Sequence, residues 1–382
     1  MRILRGSLLA ILLGALLGCV PATPAGPTLP SAVATPQQQA PSPSPTALIT
    51  PTSLPARAEA VGPLTVDGQL LTAVVVVPGS TVRYGVLGQG LARSEDRGQA
   101  WRQVSDRSLP LPVVSPRDPA TLYAGDSPSC YKDEAKPSFW RSTDGGRNWV
   151  ELQAGQGIKP VAVVAGAGGP DRLYGVSCEG LFSSPDGGET WELTGPTLGW
   201  DITSILPIRD GDLRFLAVLT SEGGASHLAW FDQDGRLARD LSEGFNFWGV
   251  GVLAQADSTL YIADSTGVWR QTEPDGEWQR FAEGLEDVVL ATDPMTEGLS
   301  EADVTRGFGL FALAPDPSNP RRLALGTVRG LYFSEDGGEH WSPAGLEALA
   351  GSRINRLAWD PSAPGVLYAT TPGGVLVVRL PG

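Results

Sequence analysis

Side chains able to do chemistry are thinly spread along this 382-residue chain. Histidine, the residue best suited to moving protons or holding a transition metal near neutral pH, occurs twice, at His227 and His340. Neither has a second His or Cys at ligand spacing, so no metal site is assigned and no cofactor is implied. Asp232-x-Asp234-Gly235 opens like a calcium loop but lacks the closing Glu and the remaining oxygen ligands. No nucleophile elbow, phosphate-binding loop or dinucleotide fingerprint stands in a credible setting. The 42 Asp and Glu residues supply carboxylate pairs by number alone. Glycoside hydrolysis needs two of them facing each other at a set separation, and the sequence singles out no such pair. No catalytic residue is therefore assigned.

What the chain does repeat is a phrase, Ser-x-Asp-x-Gly-x-x-Trp. The copies are Ser94-Asp96-Gly98-Trp101, Ser142-Asp144-Gly146-Trp149, Ser184-Asp186-Gly188-Trp191 and Ser334-Asp336-Gly338-Trp341. The first three Asp residues are 48 and 42 residues apart. Thr272 to Trp278 (TEPDGEW) and Phe231 to Arg236 (FDQDGR) read as worn copies in the gap before the fourth. A fixed period of this length signals a repeat architecture. Each Gly can take positive φ in a tight hairpin turn, and each Asp can accept hydrogen bonds from backbone N–H groups two residues on. Each Trp would start the next strand and carry a large ring into the core, its indole N–H finding an acceptor. The phrase is a hairpin staple and requires no ligand.

These four copies resemble the Asp-box, or BNR repeat, of sialidases, sortilin-type receptors, xyloglucan hydrolases and photosystem II assembly propellers. The resemblance covers about 320 residues and implies a β-propeller whose boxes lie on the face opposite the active or binding site. It says much about fold and little about function. Sialidases also carry an arginine triad, a Phe/Tyr-Arg-Ile-Pro motif and a Tyr–Glu pair, and this chain lacks that motif. Leu206-Pro207-Ile208-Arg209 does not match it in order.

The N-terminal 1–18 read as a signal peptide: Arg2 and Arg5 precede an apolar run, Leu8 to Leu17, too short for a bilayer-spanning helix. It ends in Leu16-Leu17-Gly18-Cys19, which resembles the lipobox of bacterial lipoproteins and implies lipidation at Cys19. Residues 19–57 are rich in Pro, Thr, Ser, Ala and Gln and are expected to form an extended, disordered tether. Residues 58–382 are expected to form the propeller. A formal net charge of −14 argues against nucleic-acid or anionic-lipid binding, leaving the lipid anchor as the membrane contact. The expected location is extracytoplasmic and membrane-anchored, at a cell surface or in a periplasm, with a monomeric domain.

Alternation and turn signals place four short strands in each of six blades, from LLTAVVVV in the first to HWSPAG in the sixth. INRLAWDP, VLYATT and GVLVVRL supply three strands of a seventh. The expected fold is all-β, a seven-bladed propeller of four-stranded antiparallel sheets, with six blades as the alternative. Ala60 to Val66 is expected to close the ring as the outer strand of the last blade, because an open ring would leave an exposed edge. Loops opposite the boxes hold the irregular segments: Asp126–Ser138, the junctions at Trp200 and at Phe247-Trp248, and an acidic insertion, Glu283–Gly307, that includes Asp287. Trp200, Phe247, Trp248 and Asp287 are the candidate binding residues. Cys130 and Cys178 fall in equivalent loops of neighbouring blades and are expected to form a disulfide. The function so read is non-catalytic: a scaffold for a protein or peptide partner. The alternative is a carbohydrate-active enzyme, a glycoside hydrolase, or a carbohydrate-binding surface protein.

Overall fold

A computed structural model describes residues 58–127, 137–166, 168–197, 199–209, 212–221, 225–241, 246–248, 251–273, 276–289 and 310–381. Period-2 runs of β-branched and aromatic residues, punctuated by Gly, Asp and Pro turns, fold there into seven antiparallel sheets arranged as a ring. After β1 (Glu59–Val61), blade one contains β2 (Thr65–Val66), β3 (Gln69–Val76), β4 (Arg83–Leu87), β5 (Gly90–Ser94) and β6 (Arg102–Ser105). Blade two contains β7 (Val113–Val114), β8 (Leu122–Ala124), β9 (Phe139–Ser142) and β10 (Val150–Leu152). Blade three contains β11 (Lys159–Val164), β12 (Arg172–Ser177), β13 (Gly180–Ser184) and β14 (Glu192–Pro196). Blade four runs β15 (Asp201–Arg209), β16 (Leu213–Thr220), β17 (Ala225–Phe231), β18 (Leu237–Asp240) and β19 (Asn246–Trp248). Blade five runs β20 (Val252–Ala256), β21 (Thr259–Asp264), β22 (Gly267–Gln271) and β23 (Gln279–Phe281). Blade six runs β24 (Leu310–Asp316), β25 (Asn319–Thr327), β26 (Gly330–Ser334) and β27 (Ser342–Pro343). Blade seven has β28 (Arg356–Trp359), β29 (Val366–Thr371) and β30 (Gly374–Arg379), with β1 as its outer strand. The fold is a seven-bladed β-propeller.

Closure differs in detail from the sequence expectation. The ladder with the last blade is confined to Glu59–Val61, in the register Glu59↔Arg379, Ala60↔Val378 and Val61↔Val377, with one further bond from the Leu64 N–H to the Val375 carbonyl. Gly62, at φ +137°, then turns the chain, and Pro63 has no N–H to continue a ladder. Thr65–Val66 instead folds back on β3 through an Asp67-Gly68 turn in which both residues have positive φ. The segment thus stitches blades seven and one together.

Apolar side chains from neighbouring sheets interdigitate at every junction. The Tyr261–Leu325–Trp341 cluster joins blades five and six, and Phe333–Ile354–Trp359 joins six and seven. Tyr174–Phe215 joins three and four, and Leu71–Tyr368 joins seven and one. Leu216–Ile262 joins four and five, Tyr84–Leu122 one and two, and Phe139–Leu173 two and three. The seam between blades seven and one also holds a buried ion pair. The Arg83 guanidinium donates through Nε to Asp360 Oδ2 at 3.0 Å and through Nη2 to Oδ1, and both side chains are fully buried. Ser362 Oγ and the carbonyls of Ser80 and Val82 accept its remaining N–H groups. Burial pushes the Asp360 carboxyl up, but hydrogen bonds from Arg83 and Ser362 outweigh it and hold the group below its ordinary range.

Candidate functional site

The Ser-x-Asp-x-Gly-x-x-Trp turns link the third and fourth strands of their blades and share one internal geometry. The Ser hydroxyl accepts the Gly N–H, at 2.8 Å for Ser94, 3.0 Å for Ser142, 2.9 Å for Ser184 and 2.8 Å for Ser334. The same hydroxyl donates to the Asp Oδ1. That Oδ1 accepts N–H groups three and four residues on, from Gln99 and Ala100, Arg147 and Asn148, and Glu339 and His340; for Asp186 the donor is Thr190. The N–H two residues after the Ser, on Asp96, Asp144 and Asp336, points to the Ser hydroxyl at 3.4 Å. The Ser therefore fills the role expected of the Asp, because its short side chain reaches the near N–H groups while the carboxylate spans the wider part of the turn. Trp101, Trp149 and Trp341 each donate their indole N–H to the carbonyl of their own turn's Gly. The Trp101, Trp149 and Trp191 rings are half-buried caps over the junctions and Trp341 is 4% exposed; the Trp191 Nε1 is buried without a partner among the described residues.

The residue before each Trp often completes the fastening. Asn148 Nδ2 and Thr190 Oγ1 donate to the second carboxylate oxygen of their Asp, at 2.7 and 2.6 Å, and His340 Nδ1 lies 2.6 Å from Asp336 Oδ2. Asp336, Glu339 and His340 form the one described cluster with metal-ligand potential. It is engaged in this turn, and the Asp336 hydrogen bond raises the His340 pKa. In the worn copy of blade four, Asp232 Oδ1 accepts the N–H groups of Asp234 and Arg236, and Asp234 pairs with Arg236 at 2.9 Å.

The opposite end of the ring has a different character. The first strands of the blades line a central channel of about 800 Å³ that includes Lys159, Ser204, Phe311, Arg353, Asn355 and Arg356. Lys159 opens β11, while Arg353 and Arg356 flank the start of β28. The Arg353 guanidinium sits 3.9 Å above the Phe311 ring, which holds it in place. All three cations are exposed, none has an ion-pair partner among the described residues, and the described lining contains no Asp or Glu. Positive charge is thus concentrated at the mouth of a protein whose net charge is −14. Asp201, at the head of β15, has its carboxyl pushed up by burial.

Of the residues singled out from sequence, Trp200 and Asp287 are not among the described lining of this mouth. Trp200 packs edge-on against His227, with ring centroids 4.4 Å apart, and joins the core between blades three and four. Burial lowers the His227 pKa, an effect that Asp240 opposes. Phe247 and Trp248 run in β19 beside β17, opposite Ser226 and Ala225. Asp287 is exposed on a turn whose Leu285 and Val288 are buried between blades five and six. The rest of the acidic insertion, from residue 290, lies outside the described residues, as do Cys19 and Cys130. Cys178 sits in the turn between β12 and β13. Lys159, Arg353 and Arg356 were missed because Lys159 lies far from the other two in sequence. Their shared signal is position, at or just before the first strand of a blade.

No protein-family model matches the sequence. A xyloglucanase from Paenibacillus sp. is 26% identical over 276 residues, which is 64% of this chain but only 25% of that protein. The chain therefore spans about a quarter of that relative. The GH74 xyloglucanase from Xanthomonas campestris superposes with a TM-score of 0.59 at 18% identity, covering 85% of this chain and 54% of the enzyme. YCF48 bound to D1 peptide gives 0.58 at 16% identity, covering 86% of this chain and 98% of that one. YCF48 from Cyanidioschyzon merolae gives 0.56 at 16% identity, with 85% and 98% coverage. At these identities the likeness establishes the propeller fold.

Proposed function

We propose that this chain is a binding scaffold, not a hydrolase, and that its cationic channel mouth takes an acidic segment or free carboxylate of a protein or peptide partner. The observation that carries the reading is the convergence of Lys159, Arg353 and Arg356 on a lining without described carboxylates. Guanidinium groups pair bidentately with carboxylates, and a concave mouth focuses their field. The YCF48 structure that matches nearly end to end holds a peptide, which supports the same reading. The glycosidase alternative draws on the xyloglucanase likeness and on the raised carboxyl of Asp201. Glycoside hydrolysis needs a second carboxylate about 5–10 Å away, and the described channel lining offers none. Titrating the protein with an acidic peptide, a basic peptide of equal length and a β-glucan oligosaccharide separates the readings. The scaffold reading expects the acidic peptide to bind, with affinity falling as salt rises; preferential binding and cleavage of the oligosaccharide would overturn it.

The anchor belongs to the same proposal. The Leu16-Leu17-Gly18-Cys19 run supports lipidation at Cys19, with the Pro-rich 19–57 segment holding the propeller away from an extracytoplasmic membrane face. Cys19→Ala should abolish membrane partition. A Cys130–Cys178 bridge would brace blades two and three, and it is supported by Cys178 being a half-cystine. Mass spectrometry of the unreduced protein should find neither thiol open to alkylation.

A further inference from the structure

The ring breaks its own repeat between blades four and five. In blades one, two and five a Tyr and an Arg pair across the second and third long strands, as Tyr84↔Arg93, Tyr123↔Arg141 and Tyr261↔Arg270. Arg141 and Arg270 reach the turn of the next blade, donating to the Gly187 and Gly337 carbonyls and pairing with Glu189 and Glu339. Blade four has Leu216↔Trp230 at these positions, and the turn of blade five opens with Gln271 where the intact copies have Ser. Trp230 has no guanidinium to send across. A cavity of about 280 Å³ lies there on the turn face, bordered by Ile208, Arg214, Trp230, Phe231, Leu260 and Gln271. Its floor is apolar and closely packed, with Ile208 1% exposed, Phe231 0% and Leu260 7%. The charges at its rim are already engaged. The Arg214 guanidinium lies 4.9 Å over the Trp230 ring, Arg239 has interactions of its own, and Asp232 accepts the N–H groups of its turn. Glu273 is exposed to solvent.

What the cavity lacks is a hydrogen-bond donor. Gln271 is 8% exposed and donates through Nε2 to the Gly276 carbonyl at 2.6 Å, but its Oε1 accepts nothing among the described residues. Gln255, also at the cavity, donates through Nε2 to the Asp257 carbonyl at 2.7 Å, and its Oε1 is likewise unmatched. A buried carbonyl oxygen without a donor is costly, and a ligand N–H or O–H would remove that cost. We infer that this cavity binds a small, uncharged aromatic molecule with one hydrogen-bond donor, of the indole or phenol class, independently of the channel mouth. Its aromatic walls, Trp230 and Phe231, gain more from a ring than from an aliphatic body of equal area. Apolar cavities of about 150 Å³ hold benzene, so about 280 Å³ suits a fused pair of rings. An ion would lose its hydration here and find the rim charges already paired. A sugar would leave the hydroxyls that face Ile208, Phe231 and Leu260 unpaired.

Calorimetric titration of the full-length protein with indole and phenol tests the assignment. Three controls vary one property each: N-methylindole loses the donor, indoleacetate adds a charge, and N-acetyl-tryptophan amide carries the ring on a peptide unit. Indole or phenol should bind, with an affinity that does not fall as salt rises, because no ion pair forms. N-methylindole should bind at least about threefold more weakly, the loss of one neutral hydrogen bond. Neither indoleacetate nor the tryptophan amide should bind more tightly than indole. Ala238 lies on the exposed strand β18 at the cavity rim, so Ala238→Trp should close the mouth and weaken binding at least about tenfold with the melt unchanged. Gln255→Met keeps the length of the side chain but drops Oε1, so it should narrow the difference between indole and N-methylindole. Arg353→Ala at the channel mouth should have no effect. No binding of indole or phenol, equal binding of N-methylindole, tighter binding of indoleacetate or the tryptophan amide, or full affinity in folded Ala238→Trp would each overturn the inference.

Discussion

The two faces of the ring use similar polar residues to opposite ends. On the turn face, Ser142 and Asp144 accept the N–H groups of their own hairpin, Asn148 donates to Asp144, and Asp360 satisfies Arg83 across the seam. On the channel face, Lys159, Arg353 and Arg356 have no ion-pair partner among the described residues. A satisfied polar network contributes to stability, whereas exposed charges of one sign contribute little to it and are available to a ligand. The comparison assigns stability to the turn face, and the proposed function would place recognition on the other.

The largest effect should come from breaking the seam. Asp360→Ala leaves Arg83 buried and uncompensated, which is expected to cost about 3–5 kcal/mol and lower the melting temperature by many degrees. Because the Asp360 carboxyl lies below its ordinary range in the folded protein, its contribution is present above the unfolded-state value and is lost as pH falls through the folded one. Melts taken from pH 6 down to about pH 2 should show stability draining away in the acid limb, and in Asp360→Ala that limb should flatten.

A smaller loss is expected within one turn. Ser142→Ala strips the acceptor from the buried Gly146 N–H and the donor from Asp144, at about 1–3 kcal/mol. Chemical denaturation should register this with partner binding unchanged. The smallest change should be a gain. Arg97 holds φ +62° where the other intact turns have Gly145, Gly187 and Gly337. Arg97→Gly should relieve left-handed strain of about 1–2 kcal/mol, part of which is returned as glycine's extra freedom in the unfolded chain. A rise in denaturation midpoint of less than about 1 kcal/mol equivalent would fit; a fall would show that the Arg97 side chain contributes more than its strain costs.

Much of the architecture was legible because it is local. Most longer strands announce themselves by alternation, though not β19 (Asn246–Trp248), and every intact turn does so by its Ser, Asp, Gly and Trp. Ring closure was half legible: the need for a partner to β30 was plain, but not that Gly62 and Pro63 would divide the segment between two blades. Trp200 is half-buried at the junction of blades three and four, a placement that sequence cannot distinguish from full exposure. The channel cations were invisible for a geometric reason. Lys159 and Arg353 belong to blades three and seven, and only closure of the ring brings them to one mouth.

The most direct test is to replace Lys159, Arg353 and Arg356 together by alanine and measure both the melting temperature and the affinity for an acidic peptide. If the channel face serves recognition alone, the melt should stay within about 0.5 kcal/mol per site of the wild type while binding and its salt dependence collapse. Unchanged binding with an intact fold, or loss of the fold itself, would contradict the division of labour between the two faces.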